Sequence, residues 1–214
     1  MLKPVALGFR THSGWAAAVA LAGPTAAPEV IVRLRLVIAD PATAGSKQPY
    51  HAAEKMPFPD AEVFMSRCTD STRMLANEAV GGLVARLTSM GFTVAGCCVL
   101  AGSGRPSGDL PKILSSHPLI HTAEGEFYRN ALKQACESCG LAFFAIKERE
   151  VASETALALG VPTVEIENRI SQLGRTLGPP WRQDEKLSAM AAWIVLTRSV
   201  GHGSDRSRRH GTRE

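Results

Sequence analysis

The chain has 214 residues and a mass of 22.8 kDa, with 45% hydrophobic residues, 21% charged residues and a formal net charge of +4. That composition is ordinary for a globular protein and excludes collagen-like, disordered and disulfide-scaffold classes. No apolar run approaches the ~18 residues of a membrane span, and a chain of this size buries roughly 70% of its unfolded surface without a disulfide or metal staple.

The first elements in chain order read as strands. Val5, Leu7 and Phe9 alternate with smaller residues, the period of a strand. Thr11-His12-Ser13-Gly14 then supplies turn chemistry. Trp15, Ala17, Val19 and Leu21 alternate again up to Gly23-Pro24, and a third strand runs over about 30–38, with Arg33 and Arg35 on a solvated face. These three form an antiparallel meander. Residues 40–59 are rich in Pro, Ala and Gly and read as a long loop. Phe64, Cys68, Leu75, Ala79, Leu83, Leu87 and Met90 return at helical spacing, between a cap at Asp60 and a stop at Gly91.

Residues 93–100 are almost wholly apolar, the mark of a central strand covered on both faces. A glycine-rich loop over 102–108 leaves it. The next helix begins near Thr122, with Glu124 and Glu126 in its first turn, and ends at Gly140. A short buried strand over 141–146 and helices over 149–159, 165–177 and 183–199 complete the pattern. A meander that switches to right-handed crossovers predicts a three-layer α/β domain over residues 1–199. Its mixed five-stranded sheet has the order 3-2-1-4-5, with helices on both faces. Residues 200–214, with Arg206, Arg208, Arg209 and Arg213 against Asp205 and Glu214, read as a disordered, solvated basic tail, with contact to nucleic-acid phosphate as the alternative.

Five cysteines are an odd number without the spacing of a disulfide framework. Cys97 and Cys98 read as small buried hydrophobes. Cys136-Glu-Ser-Cys139 is a CxxC with no second pair to complete a tetrahedral zinc set. Free thiols suit a reducing compartment, and the alanine-rich run 15–22, preceded by Arg10 and His12, makes a poor secretory leader. The expected location is cytoplasmic, with no membrane partner.

Leu7-Gly8-Phe9-Arg10-Thr11-His12-Ser13-Gly14-Trp15-Ala16 is similar to the Leu-Gly-Ile-Asp and Thr-Gly-Trp-Ala that open RuvC-type Holliday junction resolvases, a family of the ribonuclease H-like superfamily. Residues 123–146 resemble the helix-strand unit after that family's fourth strand, and Asp184-Glu185-Lys186 resembles the start of its closing acidic helix. The resemblance implies a ribonuclease H-like fold and, in the family, two-metal phosphodiester hydrolysis. Here, however, the first catalytic aspartate falls on Arg10. The glutamate after the fourth strand falls near Ala101 or Gly102, and only Asp184 or Glu185 remains for the last acid. One carboxylate does not hold two cations about 4 Å apart. The residues therefore imply the fold without an active two-metal nuclease.

Three constellations remain. The carboxyl ends of strands one and four meet where strand order reverses, the usual ligand crevice of an open α/β sheet. Arg10, His12 and Ser13 come from one side and Ser103, Gly104 and Arg105 from the other, a set suited to phosphate or carboxylate. The second lies in Ser115 to Glu126, where His117 and His121 are four apart and Glu124 follows. Together they make a plausible catalytic set for one divalent metal, although Pro118 argues against a helix through His117. His12 and His51 are further histidines on other loops. The third is a Ser-His hydrolase with Ser116 or Ser13 as nucleophile and His117 or His12 as base, for which no nucleophile elbow is present.

The leading expectation is a ribonuclease H-fold protein that binds an anionic ligand, either a phosphate-bearing nucleotide or nucleic acid, at Arg10, His12, Ser13, Ser103 and Arg105. The alternatives are a metal-dependent hydrolase using His117, His121 and Glu124, and a non-catalytic interaction scaffold.

Overall fold

The alternation at Val5, Leu7 and Phe9 becomes strand β1 (Lys3–His12) in the computed structural model, which describes residues 2–104 and 108–208. β1 pairs antiparallel with β2 (Trp15–Ala22), and β2 pairs antiparallel with β3 (Glu29–Val37). The tight β1–β2 turn needs Gly14. Its φ is +82°, and a Cβ there would lie 2.8 Å from that of Ala39. β4 (Phe92–Ala101) runs parallel to β1 and β5 (Phe143–Lys147) parallel to β4, so the sheet order is β3-β2-β1-β4-β5. The expected mixed sheet, 3-2-1-4-5, is the one found.

The two sides of β1 feed two cores. Val5, Leu7 and Phe9, with Val99 of β4, pack beneath α2 (Phe58–Ser89) and α4 (His117–Ser138). Ala6 of β1, with Val19, Leu21, Cys98 and Leu100, faces α5 (Val151–Leu159), α6 (Thr163–Leu177) and α7 (Gln183–Arg208). The alternation puts Gly8 and Arg10 on this second side as well. A Cβ on Gly8 would sit 1.9 Å from the Ser188 carbonyl oxygen and 2.6 Å from the Ala192 nitrogen, so α7 lies directly on the β1 backbone. That close approach brings the first turn of α7 to the carboxyl end of β1.

Several boundaries differ from expectation. The 40–59 segment holds a short helix, α1 (Pro49–Ala53), and the segment after β4 holds another, α3 (Leu110–Leu114). α4 begins at His117 rather than Thr122. Pro118 falls in its first turn, where no backbone N–H is required, so it starts the helix instead of breaking it. α7 extends past 199 to Arg208, taking in part of the expected tail; residues 209–214 lie outside the described residues. The leader-like run 15–22 is β2, a strand inside the sheet. Arg33 is not simply solvated: it donates to the carbonyls of Leu177, Gly178, Pro179 and Pro180 where α6 ends. Among the described residues no helix is long and apolar enough to cross a membrane.

Candidate functional site

Two polar clusters flank Thr11 at the carboxyl edge of β1 and β4. The first is centred on Arg10, whose guanidinium forms a double hydrogen bond with Glu148, Nε to Oε2 at 2.9 Å and Nη2 to Oε1 at 2.8 Å. Its Nη1 donates to Oδ1 of Asp184. Glu148 begins a single 3-10 turn directly after β5, and Asp184 sits in the first turn of α7. Two separate elements thus converge on the cation of β1. The bonds from Glu148 outweigh burial and, with Asp184, raise the Arg10 pKa. Burial alone would raise the Asp184 carboxyl, but hydrogen bonds from His12 and Arg10 outweigh it and hold the group below the ordinary carboxylate range.

His12 is the next member. Its Nε2–H donates to Asp184 Oδ1 at 2.8 Å, and its ring stacks on Trp15 with centroids 4.3 Å apart. Arg10 Nη1 lies 3.2 Å from the same ring nitrogen, which already gives its proton to Asp184. Arg35 covers the Trp15 ring at 3.9 Å. Arginine, indole, imidazole and carboxylate therefore form one layered stack across the ends of β1, β2 and β3.

The second cluster comprises His51 of α1 and His117 and His121 of α4, one nitrogen of each lying within 4.8 Å of the others. His117 Nε2 and His121 Nε2 are 3.0 Å apart, and the His51 ring centroid is 4.8 Å from that of His121. Behind them Glu124, 5% exposed, accepts at Oε2 from His51 Nδ1–H at 2.9 Å and from the backbone N–H groups of Tyr50 and His51 at 3.2 and 3.3 Å. One carboxylate thus satisfies the exposed amides that open α1 and fixes the tautomer of His51. Burial pushes the Glu124 carboxyl up, against the lowering effect of His51. Its Oε1 is buried with no hydrogen-bond partner.

The loop before α1 is shaped to hold this arrangement. Asp40 accepts from Ala42 N–H at 2.9 Å and from the Thr43 hydroxyl at 2.6 Å. The Ser46 hydroxyl donates back to the Asp40 carbonyl at 2.6 Å, and the buried Tyr128 hydroxyl of α4 donates to the Ser46 carbonyl. Gly45, at φ +83°, would meet the Ala52 Cβ at 2.7 Å if it carried a side chain.

A cleft of about 230 Å³ lies between the clusters, lined by Thr11, His12, Ser13 and Gln48 on one side and His51, His121, Glu124 and Gly125 on the other. On the far side of Thr11, a cleft of about 440 Å³ is bordered by Ser103, Arg129, Glu148 and Arg149.

The structure brings His117 and His121 together as the spacing expects and adds His51. Glu124 stands behind His51 rather than beside the other two. Arg10 and His12 meet at one carboxylate. Arg10 is committed to Glu148 and Asp184, so it is not the unpaired cation that the crevice reading assumed. Ser13 and Ser103 are exposed at the two clefts, and Arg105 lies outside the described residues. Among the described residues no hydrogen bond joins Ser13 or Ser116 to a histidine, so the serine hydrolase idea gains nothing. Hydrogen bonding with Cys136, together with burial, raises the Cys97 thiol, and burial raises Cys98, to about 12, and Cys139; a raised thiol is a poor nucleophile at neutral pH. Sequence reasoning did not assign Glu148, and it noted His51 without placing it. The only signals were a charged run after a buried strand and a histidine in a loop.

The same sheet and helix layers occur in a solved RuvC. Over 92% of this chain and 96% of the other, the structure of Thermus thermophilus RuvC in complex with Holliday junction substrate superposes with a TM-score of 0.52 at 10% identity. The fold is ribonuclease H-like. A second RuvC structure from Thermus thermophilus gives a TM-score of 0.51 over the same coverage, also at 10% identity. No family model and no curated protein sequence matches the chain. In this ribonuclease H-like frame, Arg10 stands at the end of the first strand, where the resemblance places the family's first aspartate. Glu148 and Asp184 converge on its guanidinium.

Proposed function

We propose that this protein binds nucleic-acid phosphate at the carboxyl edge of β1 and β4 and does so without a two-metal nuclease centre. The observation that carries this reading is the Arg10 cluster. A two-metal site needs several carboxylates free to share two cations. Here a covalently attached cation already occupies the carboxylates, and neither Ala101 nor Gly102 adds an acid. A guanidinium is always charged and cannot leave. The cluster therefore acts as a fixed brace for the sheet edge, not as a catalyst.

Contact with phosphate falls to Ser103 and Arg149 around the larger cleft; Arg129, which also borders it, is held by Glu126 at 2.9 and 2.6 Å. Arg149 is 66% exposed, and among the described residues its ion pair is a surface one with Glu150 at 3.3 Å, worth little against a phosphate. The related fold in Thermus thermophilus RuvC was solved with a Holliday junction substrate, which makes branched DNA the first ligand to try.

The test is a titration of fluorescent four-way junction and duplex DNA across salt concentrations, with a parallel cleavage assay in Mg²⁺ and Mn²⁺. Binding that weakens as salt rises, is reduced in Arg149→Ala and is unaccompanied by cleavage is the expected result. Cleavage abolished by Asp184→Asn would overturn the reading, as would the absence of salt-dependent binding.

A further inference from the structure

His51, His117 and His121 have a chemistry of their own, separate from the Arg10 cluster and from any phosphate bound along the sheet edge. We propose that these three imidazoles form a mononuclear transition-metal site of the zinc class, with Glu124 as the group that orients His51 and with one coordination position open to the 230 Å³ cleft.

Four observations support it. First, donor type: three neutral imidazoles without a carboxylate ligand select zinc and its neighbours over magnesium or calcium, which prefer oxygen. Second, spacing: two ligands on a tetrahedral zinc with ~2.0–2.1 Å bonds lie about 3.3 Å apart, and His117 Nε2 and His121 Nε2 are 3.0 Å apart. His51 comes from a different element, and the three donor nitrogens lie within 4.8 Å of one another. Third, support: Glu124 holds His51 Nδ1–H at 2.9 Å, leaving Nε2 as the ligating nitrogen. Buried carboxylate, imidazole and metal in line is the usual outer support of a zinc histidine. Fourth, an orphan: Oε1 of Glu124 is buried without a donor, and Glu124 lines the cleft into which the open position faces. A water in the cleft is a donor of the right kind for that oxygen.

This ligand set differs from the one that the sequence suggests. Spacing within α4 pairs His117 and His121 with Glu124, whereas the fold gives the third ligand position to His51 and moves Glu124 one step back. Three protein ligands and one open position are the pattern of a catalytic rather than a structural zinc. His117 is the first residue of α4, where the positive end of the helix dipole favours an anionic fourth ligand.

The test uses untagged full-length protein, stripped of metal and titrated with Zn²⁺ at neutral pH. Close to one zinc per chain, a raised melting temperature on zinc addition and the visible band of tetrahedral Co²⁺ on substitution are expected. His117→Ala and His121→Ala alter exposed side chains and leave the fold intact; each loses zinc affinity by more than about tenfold. His51→Ala loses a similar amount, and Glu124→Gln loses about 10–100-fold with the stoichiometry kept. Wild-type protein that takes up no stoichiometric zinc overturns the proposal. So does a folded His51→Ala that binds zinc as tightly as wild type, because the surface pair on α4 would then be acting alone. Neither outcome depends on whether the protein binds DNA.

Discussion

Arg10 and Glu148, 138 positions apart in sequence, meet in a two-bond fork with Nε–Oε2 at 2.9 Å and Nη2–Oε1 at 2.8 Å. Arg10→Asp would leave three carboxylates facing one another, since Glu148 and Asp184 stay in place. Like charges at that range destabilise the fold until a cation joins them. In a His121→Ala background, which removes the histidine cluster from play, Arg10→Asp should melt lower than its parent in metal-free buffer and be raised by Mn²⁺. The parent should not respond. Thermal melts with and without Mn²⁺ decide it, and equal response in both proteins would refute the idea that Arg10 takes the place of a metal.

Asp184 gives the cluster a pH dependence. Its folded pKa lies below the unfolded value because His12 and Arg10 outweigh burial. A depressed carboxyl contributes stability that is fully present above the unfolded value of about 3.9 and is lost as pH falls through the lower folded value. Asp184→Asn should therefore cost about 1–2 kcal/mol at neutral pH, and the gap from wild type should close at lower pH. Urea midpoints at several pH values measure it; a gap that is constant with pH would mean that the carboxylate charge contributes nothing.

Gly8 and Gly82 should respond to the same substitution with opposite sign. Gly8→Ala places a methyl group against the α7 backbone at Ser188 and Ala192, which are not flexible side-chain ends. The expected loss is about 3 kcal/mol, the upper end of overpacking costs. Gly82 lies within α2 with nothing within 4 Å of its virtual Cβ. Gly82→Ala should add about 0.5–1 kcal/mol through helix propensity. Chemical denaturation of the two variants checks both signs.

Tyr128→Phe removes the hydroxyl that donates to the Ser46 carbonyl, in a region with no water access. A loss of about 1–2 kcal/mol is expected, together with a change in the histidine NMR signals of His51, because the loop that delivers α1 loses its tether. Unchanged His51 signals would show that Glu124 alone positions the ring.

Strand order was legible because the alternation of Val5, Leu7 and Phe9 and the apolar run ending at Leu100 are direct consequences of which sheet faces are covered. α1 and α3 were not legible, since five residues complete barely more than one helical turn and leave no period to read. Pro118 misled for a reason of position: the same ring that breaks a helix interior is accommodated in its first turn. His117 and His121 could be paired by counting residues. His51, 66 positions before His117, and the partners of Arg10, 138 and 174 positions beyond it, depend on how the helices lie over the sheet. Local pattern does not encode that.

α4 carries His117, His121, Glu124 and Tyr128, and the last two hold α1 and the loop before it. The three imidazoles thus share a single mechanical frame, while His12 belongs to the sheet. A sliding motion of α4 over β1 would carry the imidazole triangle along undistorted and change only its separation from His12. The width of the cleft is thus set by how α4 packs on the sheet, and the grip of the histidines by the bonds of Glu124 and Tyr128.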